Sequence, residues 1–329
     1  MFSIKKILVP TDFSENASVA YSKAQKLANH YGATVDFIHI IPTMQYYHES
    51  MHVLGAPLDM EKDLYPKIQM ESHGRVKELM DDYLKPENKG DSIVEIAAKP
   101  SREIARFAER GGYDLILMAA NGRHESEFLK GSITEKVVRH SKVSVLAFDK
   151  ANFDELNNIL VPTDGSQTSL KALPIAISIA LTFGTDITLY HVQELYPGLT
   201  EKVLKNPSKS DHENIRDAIY TELETFFTHS RDEVKLRRGE NFESQFVHYE
   251  GASSNTINVK VVIERRISAH AAITEYAGDH ADMVVMTTHG RSGLAYLFLG
   301  STTEKVAQHL PLPVLTVKPN FDEKPHVTE

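Results

Sequence analysis

The chain has 329 residues, 41% hydrophobic and 25% charged, with a net charge of −9 and no cysteine. That length accommodates two domains of ordinary size, the acidic balance disfavours a general nucleic-acid binder, and the missing cysteine excludes disulfides, thiolate metal sites and thiol catalysis. No apolar run approaches the ~20 residues of a membrane span, and Met1-Phe2-Ser3-Ile4-Lys5-Lys6 enters a strand pattern with no signal-peptide core, so a cytoplasmic protein is expected.

Ile7-Leu8-Val9-Pro10-Thr11-Asp12 predicts a first strand. A helical face follows at Ala20, Ala24, Leu27, Ala28 and Tyr31, ending at Gly32, and strand two runs from Thr34 to Ile41. Residues 43–91 are polar and predict one helix plus mobile loops. Strand three is expected at Ile93 to Ala97, then a helix, then Asp114-Leu115-Ile116-Leu117-Met118 as a central strand buried on both faces, and a last helix and strand at Val143 to Phe148. The pattern then returns. Ile159-Leu160-Val161-Pro162-Thr163-Asp164 repeats the first strand at an offset of 152 (164 − 12), which persists at Gly32/Gly184 and His39/His191. The helical face reappears as Ala172, Ala176, Ile179, Ala180 and Phe183, with Pro174 required to sit in the first turns or to kink the helix. Strand two recurs at Asp186 to Val192, a polar segment at 194–256, strand three at Val259 to Ile263, the central strand at Asp282-Met283-Val284-Val285-Met286 and the last strand at Val314 to Val317. The expectation is an α/β protein of two tandem domains, 1–150 and 151–320, followed by a polar tail at 321–329.

Doubly wound sheets bind ligands at the carboxyl ends of their strands. Two features meet there: the aspartate ending strand one, Asp12 or Asp164, and the glycine-bearing loop after strand four. In the second half that loop reads Thr287-Thr288-His289-Gly290-Arg291-Ser292-Gly293 and continues to Gly300-Ser301-Thr302-Thr303-Glu304-Lys305. Glycine lets backbone approach phosphate oxygens, and Gly-Ser at a helix start offers amides, a hydroxyl and the positive dipole end. The same residues support a plainer reading. Ser301-x-x-Glu304 and Ser132-x-x-Glu135 have the spacing of capping boxes, and Asp12 and Asp164 suit turns. The joint occurrence of both features, twice, favours phosphate binding.

His48-Glu49-Ser50-Met51-His52 is a literal HExxH, and Gly55 begins the longer metalloprotease spacing, but the third ligand position is Leu58. Among 16 histidines this pentapeptide is expected by chance, so no metal centre is assigned. His39 and His191 read as core or site-lining residues. Neither a Walker A nor a G-x-G-x-x-G motif follows a strand, and Gly290-Arg291-Ser292-Gly293 is out of register for a nucleophile elbow.

The combination of Val-Pro-Thr-Asp, strand two ending in His39-Ile40 or His191-Val192, and the loop from His289 to Ser301 resembles the universal stress proteins, specifically tandem two-domain members. The resemblance implies two open five-stranded parallel sheets of order 3-2-1-4-5 flanked by helices, of the adenine-nucleotide α-hydrolase-like type. It also implies adenine-nucleotide binding, ATP foremost and with magnesium as an accompanying ion. Asp164 would approach the adenosine, the Val192 backbone would read the adenine edge, Gly290 and Arg291 would flank ribose and phosphates, Gly300, Ser301 and Thr302 would hold phosphates, and Pro162, Thr163 and Met286 would also belong to the nucleotide site. The first-half equivalents are Asp12, Ile40, Met118, Gly122, Arg123, Gly131, Ser132 and Ile133. That half departs from the family's Gly-x2-Gly-x9-Gly-Ser/Thr. It has Ala119 at the leading position, only eight residues between Gly122 and Gly131, and the added charges Glu125 and Glu127. The second half has Thr287 at the leading position but keeps the nine-residue spacing, so it ranks first. The implied role is a regulator of the stress response with slow or no ATP hydrolysis and unidentified protein partners. The family's pairing through the last strand implies an internal pseudo-dimer and allows a homodimer. The alternative is an interaction scaffold whose Gly-Ser segments only cap helices.

Overall fold

The computed structural model describes residues 3–43, 62, 64–120, 133–148, 156–195, 209–229, 234–238, 243–250, 253–288 and 300–318. The chain divides into two compact units, Ile4–Lys150 and Ala151–Glu329.

The first unit runs β1 (Lys6–Thr11), α1 (Glu15–Tyr31), β2 (Thr34–Pro42), α2 (Tyr65–Tyr83), a 3₁₀ turn (Pro86–Asn88), β3 (Lys89–Ala97), α3 (Pro100–Arg110), β4 (Leu115–Ala119), α4 (Ile133–His140) and β5 (Ser144–Phe148). The strands lie in the order β3-β2-β1-β4-β5 and pair in parallel throughout. Both faces are covered, so β1, β4 and β5 are near-continuous apolar runs rather than alternating ones. Ser14 caps α1 by accepting the Ala17 amide, and the helix buries Ala17, Ala20, Tyr21, Ala24, Leu27 and Ala28. It stops at Gly32, whose φ of 63° is the left-handed conformation a helix end favours in glycine.

The second unit repeats this plan and adds to it. Its elements are β6 (Asn158–Pro162), α5 (Gln167–Leu170), α6 (Leu173–Phe183), β7 (Asp186–Glu194), α7 (Lys209–His229), β8 (Val234–Arg238), β9 (Glu243–Glu250), β10 (Ser253–Arg266), α8 (Ala269–His280), β11 (Met283–Thr287), α9 (Ser301–His309) and β12 (Val314–Val317). The five expected strands are parallel in the order β12-β11-β6-β7-β10. Pro174 falls in the first turn of α6, and the helix that is continuous in the first unit is here broken into α5 and α6. Gly184 ends α6 at φ 68° as Gly32 ends α1.

The structure corrects the expectation of one helix and loops for residues 194–256. Beyond β10 the sheet continues with two antiparallel strands, β9 and β8. The hairpin holds because α7 presents Tyr220, Leu223 and Phe227 at helical spacing; the Phe227 ring lies 5.2 Å from Phe246 on β9, and the Tyr220 hydroxyl is 2.8 Å from that of Ser244. The polar run Lys-Leu-Arg-Arg hides this edge strand in the sequence, and such charge suits an edge. The polar tail and the His48–His52 pentapeptide lie outside the described residues.

One carboxylate clamps each sheet at its amino end. Asp114 accepts the amides of Lys5 and Lys6 at 2.8 and 2.9 Å, and Asp282 accepts those of Asn157 and Asn158 at 2.7 and 3.0 Å. These residues precede the central strands β4 and β11, so each joins the start of its unit's first strand to the strand beside it. Asp282→Ala orphans two amides, and the expected cost is about 2 kcal/mol, read as a lower urea midpoint. An unchanged midpoint would show that water replaces the carboxylate at no cost.

Candidate functional site

The strand carboxyl ends are organised by one threonine per unit. In the second unit the Thr163 amide donates to the Tyr190 carbonyl at 2.9 Å, its carbonyl accepts from His191 Nδ1 at 2.9 Å, and its hydroxyl accepts the Gly165 amide at 3.0 Å and meets the Ser169 hydroxyl at 2.8 Å. A carbonyl only accepts, so the His191 proton is on Nδ1. Thr11 repeats the arrangement: His39 Nδ1 donates to its carbonyl at 2.8 Å, its hydroxyl accepts the Phe13 amide at 3.0 Å, and the Tyr21 hydroxyl takes the place of Ser169. Burial pushes the Tyr21 phenol up to about 12, so it is a neutral hydrogen-bonding partner here.

After this threonine the chain turns sharply. Asp164 Oδ1 accepts the Ser166 amide at 2.9 Å and its hydroxyl at 2.6 Å, and Ser166 caps α5 by accepting the Ser169 amide. Asp12 does the same with Ser14. Both aspartates therefore perform the turn role that their residue type suits, and both stay half-buried at the strand ends. The residue between aspartate and cap is left-handed in each unit, Phe13 at φ 60° and Gly165 at φ 78°. Phe13 carries this strain beneath the Arg75 guanidinium, 4.0 Å from its ring, and 4.4 Å from the His39 ring.

The turn shortens the central strand relative to its neighbour. The β6–β7 register ends at Pro162↔Tyr190, and β7 continues to Glu194. Because the Tyr190 carbonyl points to the β6 side, the backbone of Val192, two residues on, points the same way, past the end of β6. Ile40 occupies the matching place in the first unit, beyond Thr11↔His39. Pro162 and Met286 in the second unit and Met118 in the first are buried within their strands.

The start of α9 lies against the end of β11. The Thr288 amide donates to the Val317 carbonyl at 3.0 Å and the Gly300 amide to the Thr288 carbonyl at 2.8 Å, while the Thr303 hydroxyl donates to the Thr287 carbonyl at 2.9 Å. These bonds pin the helix start against the end of β11. The capping-box alternative for Ser301 is not what the chain adopts: Gly300 is the N-cap, without a side-chain cap bond, and Ser301 is the first helical residue, with an exposed side chain. The N-cap Gly300 offers no side chain to the first-turn amides of α9, where Ser301 and Thr302 contribute hydroxyls. In the first unit the Thr134 hydroxyl donates to the Ala119 carbonyl at 2.7 Å, matching Thr303, but the residue before it is Ile133, 46% exposed, where the second unit has Thr302. Gly122, Arg123, Gly131, Ser132, Gly290 and Arg291 lie outside the described residues.

The molecule is thus a tandem doubly wound α/β protein. The universal stress protein family matches residues 3–149 and again 155–318, and the chain belongs to that family. Universal stress protein MJ0577 of Methanocaldococcus jannaschii is 27% identical over 157 residues, 45% of this chain and 96% of that protein. A universal stress protein of Mycolicibacterium smegmatis is 22% identical over 322 residues, 95% of this chain and 97% of its own. Among solved structures, a universal stress protein from Archaeoglobus fulgidus superposes with a TM-score of 0.60 at 21% identity, covering 96% of this chain and 97% of that one, which shows the shared fold.

Gly165 tests the turn. Gly165→Ala places a Cβ at φ 78°, and the expected loss is about 1 kcal/mol of unfolding free energy. A neutral result in a denaturant titration would mean that the turn relaxes without strain.

Proposed function

We propose that this protein is a stress-response regulator that binds an adenine nucleotide, ATP foremost, at the strand carboxyl ends of its second unit. The observation that carries the reading is the start of α9. A helix N-terminus with no side-chain cap, preceded by glycine and flanked by two hydroxyls, lies against the end of β11. Amide hydrogens and the positive dipole end suit phosphate oxygens, and no charged side chain is needed.

The remaining residues fit a nucleoside. Val192 directs backbone donor and acceptor groups past the end of β6, as an adenine edge requires, and the half-buried Asp164 carboxylate stands at the same strand end. Gly300, Ser301 and Thr302 would hold phosphates, with Gly290 and Arg291 flanking the ribose and phosphates. A magnesium ion would supply charge neutralisation on the phosphates. Occupancy, rather than rapid turnover, is the proposed signal, read out by protein partners in the cytoplasm. The first unit offers Ile133 where the second offers the Thr302 hydroxyl, which favours a supporting or scaffolding role for that half.

The experiment is to denature protein purified without added nucleotide, quantify released adenine nucleotide, and titrate ATP, AMP and cyclic AMP by calorimetry. About one ATP per chain is expected, with affinity lost at least tenfold in Gly300→Asp and retained in Gly131→Asp. Absence of both carried-over and titrated nucleotide would overturn the reading in favour of a scaffold. Ser301→Ala tests the hydroxyl of that residue. A phosphate contact predicts a loss in ATP affinity of about tenfold, the ~1.5 kcal/mol of one hydrogen bond to a charged oxygen, with an unchanged melting temperature. An unchanged affinity would show that this hydroxyl holds no phosphate.

A further inference from the structure

The second unit holds a cavity of about 1090 Å³ at the opposite end of its strands, the amino ends of β6 and β7. Its origin is visible by comparison with the first unit, where the same place is plugged. There the Lys6 ammonium lies 3.4 Å from the Asp36 carboxylate, which is 2% exposed, and 4.3 Å over the Tyr113 ring. The Tyr113 hydroxyl and the Asp91 amide both donate to Asp36, and a Cβ at Gly90 would fall 1.7 Å from the same carboxylate, so backbone closes tightly around it. At the offset of 152 the second unit replaces Lys6 by Asn158 and Asp36 by Thr188, which make a single neutral hydrogen bond of 3.0 Å. Tyr113, preceding the clamp Asp114, becomes Ala281, preceding the clamp Asp282. An ion pair and a phenol have become an amide, a hydroxyl and a methyl. Asn158 and Thr188 now line the cavity.

The added hairpin extends the wall. Gln245 on β9 donates to Asn258 on β10 at 3.1 Å, and Asn258 donates to Asp186 on β7 at 3.0 Å, a polar ladder across three strands along the cavity. Arg216, Arg237 and Lys260 bring three fixed positive charges to this lining against the single carboxylate of Asp186, in a chain whose net charge is −9. Arg237 and Lys260 are exposed, and among the described residues neither is ion-paired. Tyr276 adds a flat wall, stacked on Tyr190 with ring centroids 4.4 Å apart. The volume is that of a small-molecule site.

We propose that this cavity binds a small phosphorylated anion, and that it is a second ligand site, independent of the nucleotide crevice at the other end of the sheet. Two guanidinium groups and an ammonium spread around one cavity suit a ligand carrying several anionic oxygens, and side-chain amides supply the neutral donors that phosphate oxygens take. In the first unit the Lys6–Asp36 pair and Tyr113 fill the matching place.

The probe is inorganic pyrophosphate, with citrate as a polycarboxylate control, titrated by calorimetry into the full chain carrying Gly300→Asp so that the nucleotide crevice does not compete. Pyrophosphate is expected to bind at one site per chain, at least tenfold tighter than citrate. The binding should weaken at least tenfold in Arg237→Gln combined with Lys260→Gln, both exposed positions whose exchange leaves the melting temperature unchanged. The triple variant Asn158→Lys, Thr188→Asp, Ala281→Tyr rebuilds the plug and should abolish binding. Pyrophosphate binding that is absent, or indifferent to the Arg237 and Lys260 substitutions, overturns the proposal, and citrate binding as tightly as pyrophosphate overturns its phosphate class.

Discussion

The carboxyl end of β6 depends on one residue that stops a strand without leaving its polar groups unpaired. Thr163 continues the sheet with its amide, ends it with a carbonyl given to His191, and turns the chain with a hydroxyl that takes the Gly165 amide. Buried backbone groups that lose a strand partner must find another, and here one side chain and one imidazole meet that demand. The consequence is geometric. Because β6 stops while β7 continues, the backbone of Val192 runs on past the end of β6. Thr11 and His39 do this for the first unit, so the device belongs to the repeat and not to one site.

The two units then diverge at both ends of their sheets. At the carboxyl ends the contrast is Ile133 against Thr302, a methyl surface against a hydroxyl. At the amino ends it is the Lys6–Asp36–Tyr113 plug against the small neutral set Asn158, Thr188 and Ala281. The plug concentrates charge and an aromatic ring in a buried place, where Asp36 raises the Tyr113 phenol further beyond its ordinary range after burial has already done so. Such a group is stable only while every partner stays in position. Its replacement by an amide and a hydroxyl removes that demand and leaves open volume. A duplicated domain can therefore keep its core and its strand clamp, Asp114 or Asp282, while one copy gains a lined cavity.

Much of this was legible in the sequence for identifiable reasons. Parallel strands covered on both faces read as apolar runs, so β1, β4, β6 and β11 stand out, and Gly32 and Gly184 mark helix ends because only the left-handed conformation closes them. The hairpin of β8 and β9 was not legible. Val234 to Arg238 is mostly cationic, and its strand character comes from pairing with β9, which Tyr220 and Phe227 of α7 hold in turn, contacts between segments whose own patterns are polar. Ser301 shows the same limit at one residue. Ser-x-x-Glu fits a capping box by spacing, yet the helix starts one residue earlier because the Gly300 amide is held by Thr288 at the end of β11.

The sequence by itself determined the duplication, the parallel α/β class and the positions of the strand-end aspartates, since each follows from local pattern and a repeat offset. Tertiary structure alone decided which groups those residues meet. Only folding showed that Asp164 Oδ1 serves its own turn while the Val192 backbone runs on past the end of β6. Only folding showed that exchanging Lys6, Asp36 and Tyr113 for smaller residues opens a cavity ringed by Arg216, Arg237 and Lys260. These residues are distant in the chain, and close packing, which no local pattern encodes, sets whether the space between them is filled or left open.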